Sequence, residues 1–417
     1  MPNIQKLLTI AILSTLAAAV AASEQIPGVL PKGPVAIVGA TLHPVSADAI
    51  PKGTIVFEDG KITALGDKVK VPPKATIIKA DGKHVYPGLF ESRSRIGLVE
   101  IDAIKATRDF DESGLLNPNA KAHVSVDPDS EIIPVTRSNG VLLAMSSPAG
   151  GLIAGQSAVL QLDGWTFEEL TLKPRTAMIV SMRSESDRKS LEKFFDKARH
   201  FAQAVAADVD VTHDERLSAM VDVIEGKQPI IIEADRWDAI TRAVTFANEQ
   251  NVKLILFGGY DAPKCAELLK THDVPVIISA IHRKPLSRDD PYDASFTLPK
   301  RLQELGIRFS ISGYDRSEAS NTRNLPYEAA TAAAFGLSPE NAIRAITLSP
   351  AEILGVADHV GSLEVGKDAT LFLCDGNPLE AATHTEAAWI AGKPVDLDDK
   401  HKRLRQKYEQ KYEQADD

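Results

Sequence analysis

The stretch Pro229-Ile-Ile-Ile-Glu233, followed by residues 235–250 and then Val252-Lys-Leu-Ile-Leu-Phe257, holds one whole architectural unit. Its flanks are unbroken apolar runs of strand length, as strands covered on both faces require, and its middle repeats apolar side chains at helical spacing. A strand, a crossover helix and a second strand predict a parallel βαβ unit. The same alternation extends in both directions. Further strand runs are Val85-Tyr-Pro-Gly-Leu89, Val141-Leu-Leu-Ala-Met145, Ala177-Met-Ile-Val-Ser181, Val274-Pro-Val-Ile-Ile-Ser279 and Ile307-Arg-Phe-Ser-Ile311. Residues 187–206, 214–225, 262–269 and 298–305 have helical periodicity, with Asp235 and Asp261 standing where N-caps belong. The strand count approaches eight, so residues 85–354 predict an α/β fold of the (β/α)8 TIM-barrel type.

The chain ends read differently. Between Val35 and Ile78 short strands are punctuated by turns, and Asp59-Gly60 between two apolar alternating runs is a hairpin signal. Strand chemistry returns in Gly361-Ser-Leu-Glu-Val-Gly366, Ala369-Thr-Leu-Phe-Leu-Cys374 and Ala387-Ala-Trp-Ile390. Residues 30–84 and 355–395 are therefore expected to form one small β-sandwich domain from both terminal regions. Residues 396–417 are nearly all charged and predict a solvated C-terminal helix, which could contribute to a contact in an oligomer.

Residues 1–23 have the layout of a secretory signal peptide: Lys6, an uncharged apolar run from Leu7 to Ala22, and small residues at a cleavage site. No cysteine follows that run to carry a lipid, so a periplasmic or secreted protein is expected, without stable membrane insertion after cleavage. A net charge of −10 argues against nucleic acid as a partner. The two cysteines, Cys265 and Cys374, form no motif and read as separate buried thiols.

Pro87-Gly-Leu89, Arg323-Asn-Leu-Pro-Tyr-Glu328, Ala342-Ile-Arg-Ala-Ile-Thr-Leu-Ser-Pro-Ala-Glu352, Ile353-Leu-Gly355 and Gly361-Ser-Leu-Glu-Val-Gly-Lys-Asp-Ala369 occur in an order and spacing that resemble the imidazolonepropionase-like branch of the amidohydrolase superfamily. The resemblance implies a barrel with a split β-sandwich that hydrolyses non-peptide carbon–nitrogen bonds with one or two divalent ions such as zinc. In that family the first strand runs from Pro-Gly-Leu into an acidic residue and two histidines spaced by one, which share a face of the strand and reach one metal. Here the segment is Glu91-Ser92-Arg93-Ser94-Arg95. Arginine is always protonated and has no lone pair to donate, so Arg93 and Arg95 cannot be ligands.

Later positions depart as well. The strand that usually supplies a histidine carries Glu233, and the next ends Leu256-Phe-Gly-Gly259. A gap-free match puts Tyr314 at the family's catalytic aspartate, with Asp315 one residue on. Of the ten histidines, only His84, His123 and His282 are placed to approach the barrel mouth, and none is paired at helical or strand spacing. No metal or other cofactor is therefore predicted. The expected arrangement is an Arg93–Glu233–Arg95 charge network, with Glu91 or Asp315 adding negative charge, either structural or open to a small anionic ligand. A buried network of that kind predicts that Arg93→Ala costs about 3–5 kcal/mol. The alternative is an active hydrolase with altered or single-metal catalysis, using Glu233 or Asp315 as general base. The segment at residues 101–130, with Arg108, Asp109, Asp111, Glu112 and Asp127, is expected to roof the mouth. Pro148-Ala-Gly-Gly-Leu152 lacks a phosphate-loop lysine and reads as a turn.

Overall fold

In chain order the strands are β1 (Val35–Leu42), β2 (Ile50–Glu58), β3 (Lys61–Gly66), β4 (Thr76–Lys79), β5 (His84–Pro87), β6 (Leu89–Ser94), β7 (Val141–Ser146), β8 (Ile153–Gln156), β9 (Ala158–Gln161), β10 (Thr171–Lys173), β11 (Met178–Val180), β12 (Ile230–Ala234), β13 (Leu254–Gly258), β14 (Val276–Ile278), β15 (Phe309–Ile311), β16 (Leu371–Cys374), β17 (Thr385–Ile390) and β18 (Lys393–Pro394). The computed structural model describes residues 25–313 and 318–416. The expected signal segment at residues 1–23, and Tyr314 and Asp315, lie outside the described residues. Among the described residues no helix is long and apolar enough to cross a membrane.

Strands from both chain ends interleave in one sheet, ordered β18-β17-β16-β5-β1-β2-β3 with β4 also on β1. On the edge away from β2, β1 serves two neighbours: Val35–Val38 pairs with β4 and Thr41–Leu42 with β5. The chain bends between these halves at Gly39, whose φ of +87° favours glycine and where a Cβ would meet the Asp81 carboxylate. The bend folds the sheet over a core that includes Ile37, Ile55, Phe57, Leu371 and Trp389. The Asp59-Gly60 hairpin forms with both residues at positive φ, as a two-residue turn of that type needs. The strand expected at Gly361–Gly366 does not form. Gly361 and Gly366 both adopt positive φ, and the segment turns past β3 through the Gly366 N–H to Ile62.

The barrel forms as expected, and among the described residues seven of its strands run parallel. β6 and β7 pair in parallel, and β11 to β15 form a parallel run. Between these two groups lie β8 and β9, joined through Ser157 as one bent strand. β9 is antiparallel to β7 and β8 is antiparallel to β11. The segment between β7 and β11 holds no helix longer than Phe167–Leu170, so it returns directly along the barrel wall instead of crossing over. At the other seam, β15 meets β6 through side chains: Ser310 Oγ donates to Ser92 Oγ (3.1 Å), Ser92 Oγ to the Ile311 carbonyl (3.2 Å) and Ser312 Oγ to the Arg93 carbonyl (3.2 Å). Small side chains let the two backbones come this close. The interior is filled by alternate residues such as Phe90, Leu143, Ile179, Ile231, Ile255 and Ile277.

The helix Trp237–Gln250 corrects the capping expectation. Its N-cap is Arg236, and the oxygen that accepts the Trp237 N–H belongs to Asp261, 3.2 Å away on the next loop. Asp235 is drawn off by Arg283, which it binds through two 2.9 Å contacts. The helix expected at residues 262–269 breaks into a 3-10 turn, Ala262–Cys265, and a short helix, Ala266–Thr271. Cys265 and Cys374 are separate buried thiols.

Candidate functional site

All the parallel strands end at one rim, and β6 delivers Glu91, Arg93 and Arg95 there. Glu91 is fully buried between β6 and β15. Its Oε1 accepts the Arg93 N–H (3.0 Å) and its Oε2 accepts the Gly313 N–H (2.8 Å). The contact to a backbone two residues on is a local turn motif, and it coincides with a break in the β6–β7 register between Glu91 and Ser94. Burial pushes the Glu91 carboxyl up to about 7. The nearby Glu328 carboxylate adds to the rise, and the hydrogen bonds from Ser312, Arg93 and Gly313 oppose it.

The register break changes where the arginines go. Strict alternation would send Arg93 and Arg95 to one point, but β6 ends at Ser94 and their guanidinium groups splay. Arg93 is buried, with its guanidinium carbon 4.1 Å from the ring centroid of Phe257. Its Nη1 lies 3.6 Å from Glu233 Oε2, and the Glu233 side chain is 62% exposed. Glu233 reaches that point because Ile231, two residues earlier, faces the barrel interior. Arg95 instead lies 4.0 Å over Phe110, part of the loop expected to roof the mouth. That loop is held down by single bridges, Asp111 to Ala149 and Leu116 to Ile153. The structure thus brings Arg93 and Glu233 together, puts Arg95 on a separate aromatic face, and turns Glu91 toward backbone N–H groups.

The neighbouring rim is charged and paired. Beside the Asp235–Arg283 fork, Arg283 and Arg236 both approach the Tyr260 ring, at 5.1 Å and 5.7 Å. Glu328 is buried and accepts the Ile281 and His282 N–H groups. Its other oxygen lies 3.0 Å from His282 Nδ1, while His282 Nε2 contacts Thr331 Oγ1 at 2.6 Å. The hydrogen bond to Glu328 raises the His282 pKa above its ordinary value. Of the three histidines expected near the mouth, only His282 belongs to this rim. His84 sits in the sandwich, 2.9 Å from His43. His123 lies in a short 3-10 turn beside Phe167.

Sequence reading missed Glu328, Phe257, Phe110 and Arg283. Phe257 had a signal, since it ends an apolar strand directly after Glu233's strand, but aromatic support for arginine needs the spatial neighbour to be known. Among the described residues no three His, Cys, Asp or Glu side chains gather as a metal set. Among the described residues, Arg93 and Arg95 offer no lone pairs to the divalent ions that the resemblance implies, and Glu91 spends one acceptor site of each oxygen on an N–H group.

Residues 222–397 match the model of the amidohydrolase family. This segment, less than half of the chain, is similar to that family. Over 82% of its length it is 21% identical to an imidazolonepropionase of Fusobacterium nucleatum subsp. nucleatum, covering 91% of that protein. It is also 21% identical, over 82% of its length, to amidohydrolase tasK of Hapsidospora irregularis, but spans only 39% of that longer relative. A crystal structure of an amidohydrolase from Thermotoga maritima MSB8 superposes with a TM-score of 0.79 at 24% identity, over 87% of this chain and 99% of that one. These likenesses support the barrel with a β-sandwich from both termini. The matched segment of the amidohydrolase model starts after β6 and β7, so it takes in Glu233 and Glu328 but not the Glu91–Arg95 run.

Proposed function

We propose that this amidohydrolase-type protein is exported and uses its barrel mouth to bind a small carboxylate-bearing ligand, without two-metal hydrolysis. The observation that carries the reading is the Arg93 guanidinium, stacked on Phe257, with the mostly solvated Glu233 carboxylate 3.6 Å away. A ligand carboxylate that takes the place of Glu233 gains a two-pronged contact with a pre-oriented guanidinium, while Glu233 returns to water at little cost. Arg95, on Phe110 beneath the loop, supplies a second cation for a longer anion.

The test is calorimetric titration with mono- and dicarboxylates, beside metal analysis of protein purified without chelators. Saturable carboxylate binding that weakens at least tenfold in Arg93→Met, with no stoichiometric metal, is the expected outcome. One or two bound transition-metal ions per chain, needed for hydrolysis of a carbon–nitrogen bond, would overturn it. Glu91 favours a second reading, an altered hydrolase, because a carboxyl titrating at about 7 has the proton affinity of a general base. Hydrolysis lost in Glu91→Gln, with carboxylate affinity retained, is the result that selects it.

A further inference from the structure

Among the described residues, the contacts that tie the C-terminal helix, Lys400–Asp416, to the body lie at its start. Asp399 accepts the His401 and Lys402 N–H groups, and Arg403 lies 3.4 Å from Glu131. From Leu404 to Gln414 every side chain is exposed, so about three turns project from the body. An isolated helix of that length is marginal in water. Its charges do not help it. Residues 400–408 carry five lysines and arginines and no acid, whereas residues 409–417 carry four acids and a single lysine. Cations at the N-terminal end and anions at the C-terminal end both oppose the helix dipole. The Arg405–Glu409 pair at 2.7 Å runs in the less favourable i,i+4 direction.

Leu404, Tyr408 and Tyr412 follow one another at four-residue spacing and line one face, at 48%, 51% and 64% exposed. The sequence there repeats Lys-Tyr-Glu-Gln, at residues 407–410 and again at 411–414. We infer that this helix is a self-association element, pairing antiparallel with the same helix of a second copy about Tyr408. Antiparallel pairing sets Leu404 against the opposite Tyr412 and each basic half against an acidic half. It also offsets both dipole penalties at once. Parallel pairing would stack like charges throughout. An anionic lipid surface would use the basic half but leave the acidic half repelled and the tyrosine row unused.

Sedimentation equilibrium of the full protein across the micromolar range tests this. The wild type is expected to show a weak monomer–dimer equilibrium, because a contact of three turns is small. Raising salt should weaken it. Arg405→Glu/Lys407→Glu makes the projecting turns predominantly acidic and should weaken association tenfold or more. Adding Glu409→Lys/Glu413→Lys to that same chain should restore it. Mixing the acidic variant with Glu409→Lys/Glu413→Lys alone should give mixed dimers. Because the variable residues project into solvent, thermal melting of the body should not change. A wild type monomeric throughout, or a dimer unaffected by charge reversal, overturns the inference. So does flotation of the wild type with phosphatidylserine vesicles without any dimer.

Discussion

Glu91→Gln gives the sharpest test of how the mouth is held. In the wild type the carboxyl is fully buried and its pKa is raised from 4.5 to about 7, first of all by that burial. The folded state therefore holds the proton more tightly than the unfolded chain. The stability linked to this group is fully present below about pH 4.5 and is lost as pH rises through about 7. At about 1.4 kcal/mol per pH unit, the span is worth about 3 kcal/mol between pH 4 and pH 8. Glutamine cannot titrate, so it removes the slope. It also carries a fixed cost: both Glu91 oxygens accept backbone N–H groups, and an amide nitrogen must face one of those donors. That opposition costs about 1–3 kcal/mol at every pH. Glu91→Gln should then be less stable than the wild type at pH 5 and equal or more stable at pH 8. Urea unfolding of both proteins at pH 5 and pH 8 measures the double difference, expected at about 2.5 kcal/mol in favour of glutamine. Parallel stability profiles would refute the reasoning, since they would mean that Glu91 ionises as freely in the fold as outside it.

The remaining predictions concern paired charges. Arg93→Ala should cost about 1–3 kcal/mol, mainly lost packing on Phe257, and Glu233→Ala less than about 1, because the Glu233 carboxylate is largely solvated. This lowers the value expected for a buried network, and denaturation showing equal large losses for both would reinstate that network. The buried ion pair with full hydrogen bonding is Arg137–Asp163 at 2.6 Å, reinforced by the Leu162 carbonyl and the Gly28 N–H. There Arg137→Ala should cost about 3–5 kcal/mol, and a cost below 1 would contradict that role. Glu328→Gln should lower the His282 pKa, which the Glu328 hydrogen bond holds up. The linked stability is present below the unfolded pKa and fades as pH rises through the folded one. Proton NMR of the imidazole reads this directly, and an unmoved titration would deny the pairing.

How far the sequence could be read depended on the range of the interaction. Strands such as Ile230–Ala234 and Leu254–Gly258 were legible because period and length are local properties. The Asp59-Gly60 hairpin was legible for the same reason. Asp235 was misread as a cap because nothing local announces that Arg283, on another loop, will compete for its carboxylate. The antiparallel return through β8 and β9 was missed because an apolar strand looks the same in either direction. At the mouth, residue types were informative and geometry was not. Two arginines in the Glu91–Arg95 run exclude metal-ligand chemistry from those positions at sight. Their separation onto Phe257 and Phe110 depends on a register break that strand alternation cannot foresee.

That break also bears on how the charges are compensated. A single network would require Arg93, Arg95 and Glu233 to converge, with each guanidinium depending on the same carboxylate. The structure gives each charge a local environment. Glu91 binds two backbone N–H groups and titrates near neutrality, Arg93 lies between an aromatic face and a rim carboxylate, and Arg95 lies on a second aromatic face. An aromatic face attracts a guanidinium from above its plane, whereas hydrogen bonds from its N–H donors lie within that plane. A closed Arg–Glu–Arg network would hold those donors in fixed pairs, and a ligand would have to break them before binding. In the splayed arrangement the Glu233 carboxylate is largely solvated, so moving it off Arg93 costs little. Glu91 contributes indirectly: by accepting the Arg93 N–H it helps fix the break that directs Arg93 onto Phe257. The acidic residue of the strand thus positions the arginine through the backbone, while its own carboxyl stays out of the ion pair.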